Sequence, residues 1–171
     1  AARTTPPESR PGQTVPLRGT RRAIAHTLTR AWQEIPHVID YREVDATNLL
    51  RLRRVLKQRA LERGDEALAQ VLSPTPLIVR AAAKALADHP YVNSSIDLQR
   101  GEITLHQQIN IGIATATAEG LTVPVLHGAD SKSISELALE VAELVADARG
   151  RRLRPDQLAG GTFTVNNYGG L

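Results

Sequence analysis

Cysteine and methionine are both absent from the 171 residues, and the aromatic side chains amount to one Phe, one Trp and three Tyr. Without cysteine there can be no disulfide framework, zinc-thiolate site, iron-sulfur cluster or cysteine nucleophile, so a thiol in any reaction must come from another molecule. So few aromatics leave almost no stacking platform for single-stranded nucleic acid. No apolar run approaches the ~20 residues that span a bilayer, and the charged, Pro-containing start lacks a signal-peptide core, so the default expectation is a cytoplasmic location without membrane attachment. The lack of Met, at position 1 included, leads us to expect a processed or excised piece of a longer polypeptide. Charge of one sign is also missing: 21 Lys plus Arg against 18 Asp plus Glu leave a formal +3, too mild to announce a nucleic-acid partner. Lys57, Lys84 and Lys132 are the three lysines, so the other 18 cations are arginine, a bias that fits GC-rich coding as well as phosphate or carboxylate recognition.

What is present amounts to one domain's worth of chain, 42% apolar. Residues 1–14, with three prolines and no aliphatic residue beyond Ala, read as a flexible linker, and the folded region is expected over 15–171. The spacing Ile24, Leu28, Ala31, Trp32, Ile35 predicts a helix with one apolar stripe, stopped by Pro36. Residues 37–45 carry Val38, Ile39, Tyr41 and Val44 among polar neighbours and predict a strand. A second helix follows from Asp45 or Thr47 to Gly64, with leucines inward and Arg51, Arg53, Arg54, Lys57, Arg59 and Arg63 around the rest. Thr75 and Pro76 predict the start of a buried helix that ends at His89-Pro90. Segments 95–98 and 103–106 suit a hairpin, 108–117 and 121–126 read as two strands of an open sheet, and 162–166 as a last strand. Between them Ser133 and Glu136 form a capping box for an amphipathic helix ending at Gly150. Helices interleaved with adjacent strands make the fold class α+β, a mixed sheet packed with helices.

Chemistry is harder to place. The five histidines, His26, His37, His89, His106 and His127, show no metal-ligand spacing, and no phosphate-cradling Gly-rich loop or Gly-x-Ser-x-Gly elbow is present. His37 stands out because it opens a predicted strand directly after a helix. The arginines of the second helix read either as a solvated face or as phosphate contacts.

Four segments together carry more information: VPLRGTRRAIAHTLTRAWQEIPHVIDYREVDATNLLRLR, SPTPLIVRAAAKALADHPYVNSSID, INIGIATATAEGLTVPVLHGADSKSISELA and LAGGTFTVNNYGG. In this order and spacing the chain resembles the acyltransferase (E2) domain of 2-oxo acid dehydrogenase complexes, from about Val15 to the last residue. The resemblance implies a chloramphenicol-acetyltransferase-like fold, homotrimers with active sites between subunits, and a 24- or 60-subunit core. It implies E1 and E3 components bound through upstream domains, and no nucleic acid or membrane partner. The implied reaction passes an acyl group from dihydrolipoamide, a lipoyl group carried on a separate domain, to coenzyme A. The phrase Asn166-Asn167-Tyr168-Gly169 looks more like branched-chain-type than acetyl-type members. A noncatalytic scaffold of the multienzyme core is the alternative.

In that family a histidine in the motif His-x-x-x-Asp-Gly takes the proton of the coenzyme A thiol, whose ordinary pKa of ~8.5 leaves little thiolate at neutral pH. None of the five histidines has Asp four residues on followed by Gly, so the fold is expected to be incomplete at the C-terminus and the fragment inactive by itself. A second departure is Asn166, where the family usually has a serine whose hydroxyl donates to the oxyanion. An Asn amide can also donate, or it can simply satisfy a strand-end turn. Arg21 matches a family position that braces the catalytic Asp of the missing motif, or is a surface charge at a helix start. His37 matches the family's Pro-His and is expected near the substrate channel. Arg51, Arg53, Arg54 and Arg59 are candidates for the coenzyme A phosphates by charge alone.

Overall fold

The computed structural model describes residues 11–118 and 120–167, with only the backbone of Thr20, and divides into two compact units, 1–44 and 45–171. Residues 1–10 of the expected linker, Glu119, and Tyr168 with the Gly169-Gly170 pair lie outside the described residues.

Among the described residues the first unit holds one helix, α1 (Gly19–Glu34). Its apolar stripe forms as the spacing predicts, yet it is not buried: Leu28 is 64% and Trp32 75% exposed. The expected strand after it is absent. Residues 36–44 run as irregular chain without a ladder partner, and Val38, Ile39, Tyr41 and Val44 are all exposed. A strand is defined by its neighbour, and the alternation in this segment reports a capacity for pairing that no described strand meets.

The second unit begins with α2 (Thr47–Glu62), entered through Asp45, whose carboxylate accepts from the Thr47 amide at 2.8 Å. Hydrogen bonding with the Thr47 side chain, and then with its backbone amide, holds the Asp45 carboxyl below its ordinary value. Gly64, at φ +73°, supplies the left-handed residue that turns the chain out of the helix. A short helix that the periodicity did not reveal follows, α3 (Glu66–Val71), capped by Asp65, which accepts from Leu68 N at 3.0 Å. The next helix, α4 (Pro74–Asp88), starts two residues before the expected Thr75-Pro76 pair. Ser73-Pro74 is an equally good cap and first-turn pair, and the helix takes the earlier one because Pro76 also fits the first turn. Only one side of α4 is buried, through Pro76, Leu77, Val79, Ala83 and Leu86.

The hairpin forms as expected from β1 (Ser94–Asp97) and β2 (Glu102–Leu105), in antiparallel register from Ser94 opposite Leu105 to Asp97 opposite Glu102. The two longer expected strands each break in two. The first becomes β3 (Ile111–Ile113) and β4 (Thr115–Thr117), and the second β5 (Gly120–Thr122) and β6 (Val125–Leu126). Pro124, with no N–H to give, ends the ladder between β5 and β6, while its carbonyl accepts from Ile113 N at 2.8 Å. β4 pairs with β5 as a separate ribbon. The capping box closes as read: Ser133 Oγ accepts from Glu136 N, and Glu136 Oε2 accepts from Ser133 N, at the start of α5 (Ile134–Gly150). After a 3-10 turn over Pro155–Leu158 comes β7 (Phe163–Val165).

The central sheet has the order β6-β3-β7, with β3 antiparallel to β6 and parallel to β7, so it is mixed. Helices α4 and α5 pack on it through Val79, Leu86, Leu137, Val141 and Leu144 against Ile111, Ile113 and Leu126. A satellite cluster of Ala60, Ala69, Leu72 and Ala138 attaches α2 and α3 to α5. The strands approach closely at Gly112, where an added Cβ would stand 2.7 Å from Val123 Cγ1 and 3.2 Å from Thr164 Oγ1.

Candidate active site

Because β7 runs parallel to β3, with Val165 opposite Ile113, the chain leaves the central sheet at Asn166 on the same side as the β3–β4 junction. Ala114 N still donates to Val165 O at 3.1 Å, which is the last sheet bond before Asn166. The start of α4 reaches the same end, and Asn167 Nδ2 donates to Thr75 Oγ1 at 3.0 Å. Between these elements and α5 lies a cleft of about 590 Å3 with Asn166 and Asn167 on its wall. Its other walls are aliphatic, from Ile113, Leu121, Val141, Val145 and Val165, with hydroxyls from Ser73, Thr75 and Thr115 and one cation, Arg149. No carboxylate lines it among the described residues. Amide donors on an aliphatic wall with no anion nearby suit an apolar group whose polar end carries or develops negative charge.

Asn110 holds the opposite, N-terminal end of β7 in place. It is 5% exposed, donating through Nδ2 to Gly160 O at 2.9 Å and accepting at Oδ1 from Gly128 N at 2.9 Å. Its backbone accepts from Thr162 N at 2.8 Å and donates to Thr162 Oγ1 at 3.1 Å. One residue therefore joins the approach to β3, the turn after β6 and the approach to β7. Reading by motif passed over Asn110, Thr75 and Asn167, since hydrogen bonds spanning 50 and 92 residues leave no local pattern.

The remaining candidates are more dispersed. Arg21 is exposed in the first turn of α1, a turn without an acidic residue, and His37 stacks on Trp32 with ring centroids 5.1 Å apart; both belong to the first unit. On α2, Arg51, Arg54 and Arg59 are exposed and do not line the cleft. Arg53 is half-buried and its Nε donates to Leu72 O at 2.7 Å, tying α2 to the α3–α4 junction. Among the described residues no histidine lines the cleft, no group of three or more His, Asp or Glu is placed to hold a metal ion, and no helix is long and apolar enough to cross a membrane. His106 Nε2 lies 2.6 Å from Ser95 Oγ across the exposed hairpin, and His127 Nε2 3.1 Å from Asp156 O. Hydrogen bonding from Arg154 holds the Asp156 carboxyl below its ordinary value.

The sequence model of the 2-oxoacid dehydrogenases acyltransferase catalytic domain matches residues 9–171. The chain belongs to this family. Among its acyltransferase relatives, the acetyltransferase component of the pyruvate dehydrogenase complex of Bacillus subtilis (strain 168) is 37% identical over 153 residues, covering 90% of this chain and 34% of that protein. The same component of Corynebacterium glutamicum is 34% identical over 158 residues, or 92% of this chain and 23% of that one. The chain thus spans about a third or less of these relatives' length. The fold agrees with solved members. A structure of the Azotobacter vinelandii dihydrolipoamide acetyltransferase, from work on the catalytic role of a serine, a histidine and an asparagine, superposes with a TM-score of 0.81 at 33% identity, over 92% of this chain and 63% of that one. The cubic core of a pyruvate dehydrogenase multienzyme complex gives 0.81 at 34% identity and the same coverages. These likenesses support the expected acyltransferase fold over an unrelated α+β domain.

Proposed function

We propose that this chain is the front portion of a core acyltransferase that moves an acyl group from dihydrolipoamide to coenzyme A. The observation that carries the reading is Asn166: it follows the last bonded residue of β7 and stands on an aliphatic cleft that no carboxylate lines among the described residues. The lipoyl group supplies the acyl chain as a thioester; the coenzyme A thiolate attacks its carbonyl, and the departing lipoyl sulfur takes up the proton. The chain's own part is to seat the acyl chain against Ile113, Leu121, Val141 and Val145 and to meet the oxyanion with the Asn166 amide. The base is the histidine of the family motif, which these 171 residues do not contain. Coenzyme A phosphates are assigned to Arg51, Arg54 and Arg59 by charge, with the half-buried Arg53 retained mainly for its bond to Leu72. Arg21 is assigned to bracing the motif's Asp, and His37 to the substrate channel.

The exposed stripe of α1 and residues 36–44 support assembly: neighbouring protomers of a homotrimer would cover these side chains, and trimers would build a cytoplasmic 24- or 60-subunit core with E1 and E3 attached. A large apolar side chain gains about 1.5–3 kcal/mol on full burial, so several such groups favour association. The relatives' names carry an acetyl group, whereas the Asn166-Asn167-Tyr168-Gly169 phrase resembles branched-chain members. In the intact protein, Asn166→Ala should lower steady-state turnover ~10²-fold, the scale of one lost oxyanion donor. Unchanged turnover would retire the assignment, and the same assay run with acetyl-, succinyl- and isobutyryl-dihydrolipoamide decides the acyl group.

A further inference from the structure

The residue proposed to meet the oxyanion is held from both sides, by bonds of two different kinds. On its N-terminal side the backbone is fixed by the sheet, through Ala114 N donating to Val165 O at 3.1 Å. On its C-terminal side no described strand continues, and the next residue is fixed by its side chain, Asn167 Nδ2 donating to Thr75 Oγ1 at 3.0 Å. Thr75 belongs to the first turn of α4, a helix anchored in the core by Val79, Ala83 and Leu86, so it offers a rigid point of attachment. Thr75, Asn166 and Asn167 all line the same cleft.

We infer that Thr75 and Asn167 are positioning residues for the acyl transfer, a latch from α4 that sets where the Asn166 amide stands. The inference rests on the reading of Asn166 as the oxyanion donor. Oxyanion stabilisation depends on a donor being held at the place where charge develops, so a displacement of about 1 Å is felt in the rate more than in substrate binding. An amide-to-hydroxyl bond suits this task because Thr75 brings the acceptor on a short, β-branched side chain with few rotamers.

The test uses the intact protein with coenzyme A and an acyl-dihydrolipoamide. Thr75→Val keeps the shape and removes the acceptor; kcat should fall ~10-fold while KM for both substrates stays within twofold, and Thr75→Ser should restore kcat to within threefold of the parent. Asn167→Ala should show the same loss, and the double variant Thr75→Val with Asn167→Ala should be no slower than Asn167→Ala alone, since both remove one contact. Matching thermal midpoints exclude a general loss of fold, and Asn167→Ala reports independently if Thr75→Val fails to fold. Parental kcat in Thr75→Val or Asn167→Ala, or losses that multiply in the double variant, would overturn the latch. Should Asn166→Ala be slow while Thr75→Val is not, the latch fails alone; should Asn166→Ala be fully active, the oxyanion reading fails and the latch loses its purpose with it.

Discussion

Asn110 shows how much of the arrangement around β3 and β7 can depend on one amide. Its side chain and backbone join three stretches of chain that must converge for β7 to lie beside β3, and it does so almost fully buried. Removing the amide breaks two part-buried hydrogen bonds, to Gly160 O and from Gly128 N. Asn110→Ala should therefore lower unfolding free energy by about 1–3 kcal/mol, measured as a reduced urea midpoint with an unchanged slope. Asn93 is buried still more deeply and donates to His106 O at 3.1 Å and Gln108 O at 3.0 Å, pinning the chain that leaves the hairpin. Both asparagines lie inside the segments that carry the family resemblance, yet nothing local in the sequence marks either as a buried hydrogen-bonding side chain.

At the scale of elements, α5 was the most legible because its signals are local. The Ser133–Glu136 box lies within one turn, and Ser133→Ala should cost about 1 kcal/mol in chemical denaturation. Hydrogen bonding from Ser133 lowers the Glu136 pKa in the folded chain. A depressed carboxylate binds fewer protons folded than unfolded, so its stabilisation is complete above the ordinary glutamate value and is lost as the pH falls through the folded value. Asp45 and Asp156 act in the same direction. Glu136→Gln should accordingly flatten the acid limb of a stability-against-pH curve, and a steepened acid limb would contradict the box. By contrast α3 is only six residues long, too short for a periodicity to show, and its sole cue was Asp65 after Gly64. The split of the two longer strands had its cue in Pro124, since alternation reports which side chains point inward but not where the ladder's hydrogen bonds stop.

For the whole molecule the instructive region is the first unit. Its helix and apolar stripe form as read, yet the stripe is exposed, because periodicity identifies a face without saying what covers it. If the exposed face is covered by neighbouring protomers, Val38→Asp combined with Leu28→Asp in the intact protein should shift sedimentation from the large particle towards monomer. An unchanged particle would show that this face is not an interface.

Composition and local spacing were enough to determine the α+β class and the positions of seven helices and strands within a few residues, and the resemblance of four linked segments pointed to the family. These depend on interactions within a few turns of chain, which a linear text preserves. Only the tertiary structure decided that residues 36–44 pair with no described strand, that Arg53 is tied to Leu72, and that Asn167 meets Thr75 on the aliphatic cleft that Asn166 also lines. Those outcomes come from packing α4 and α5 on a mixed sheet, which joins residues 50 to 92 positions apart, and no neighbouring residue carries a trace of so distant a partner.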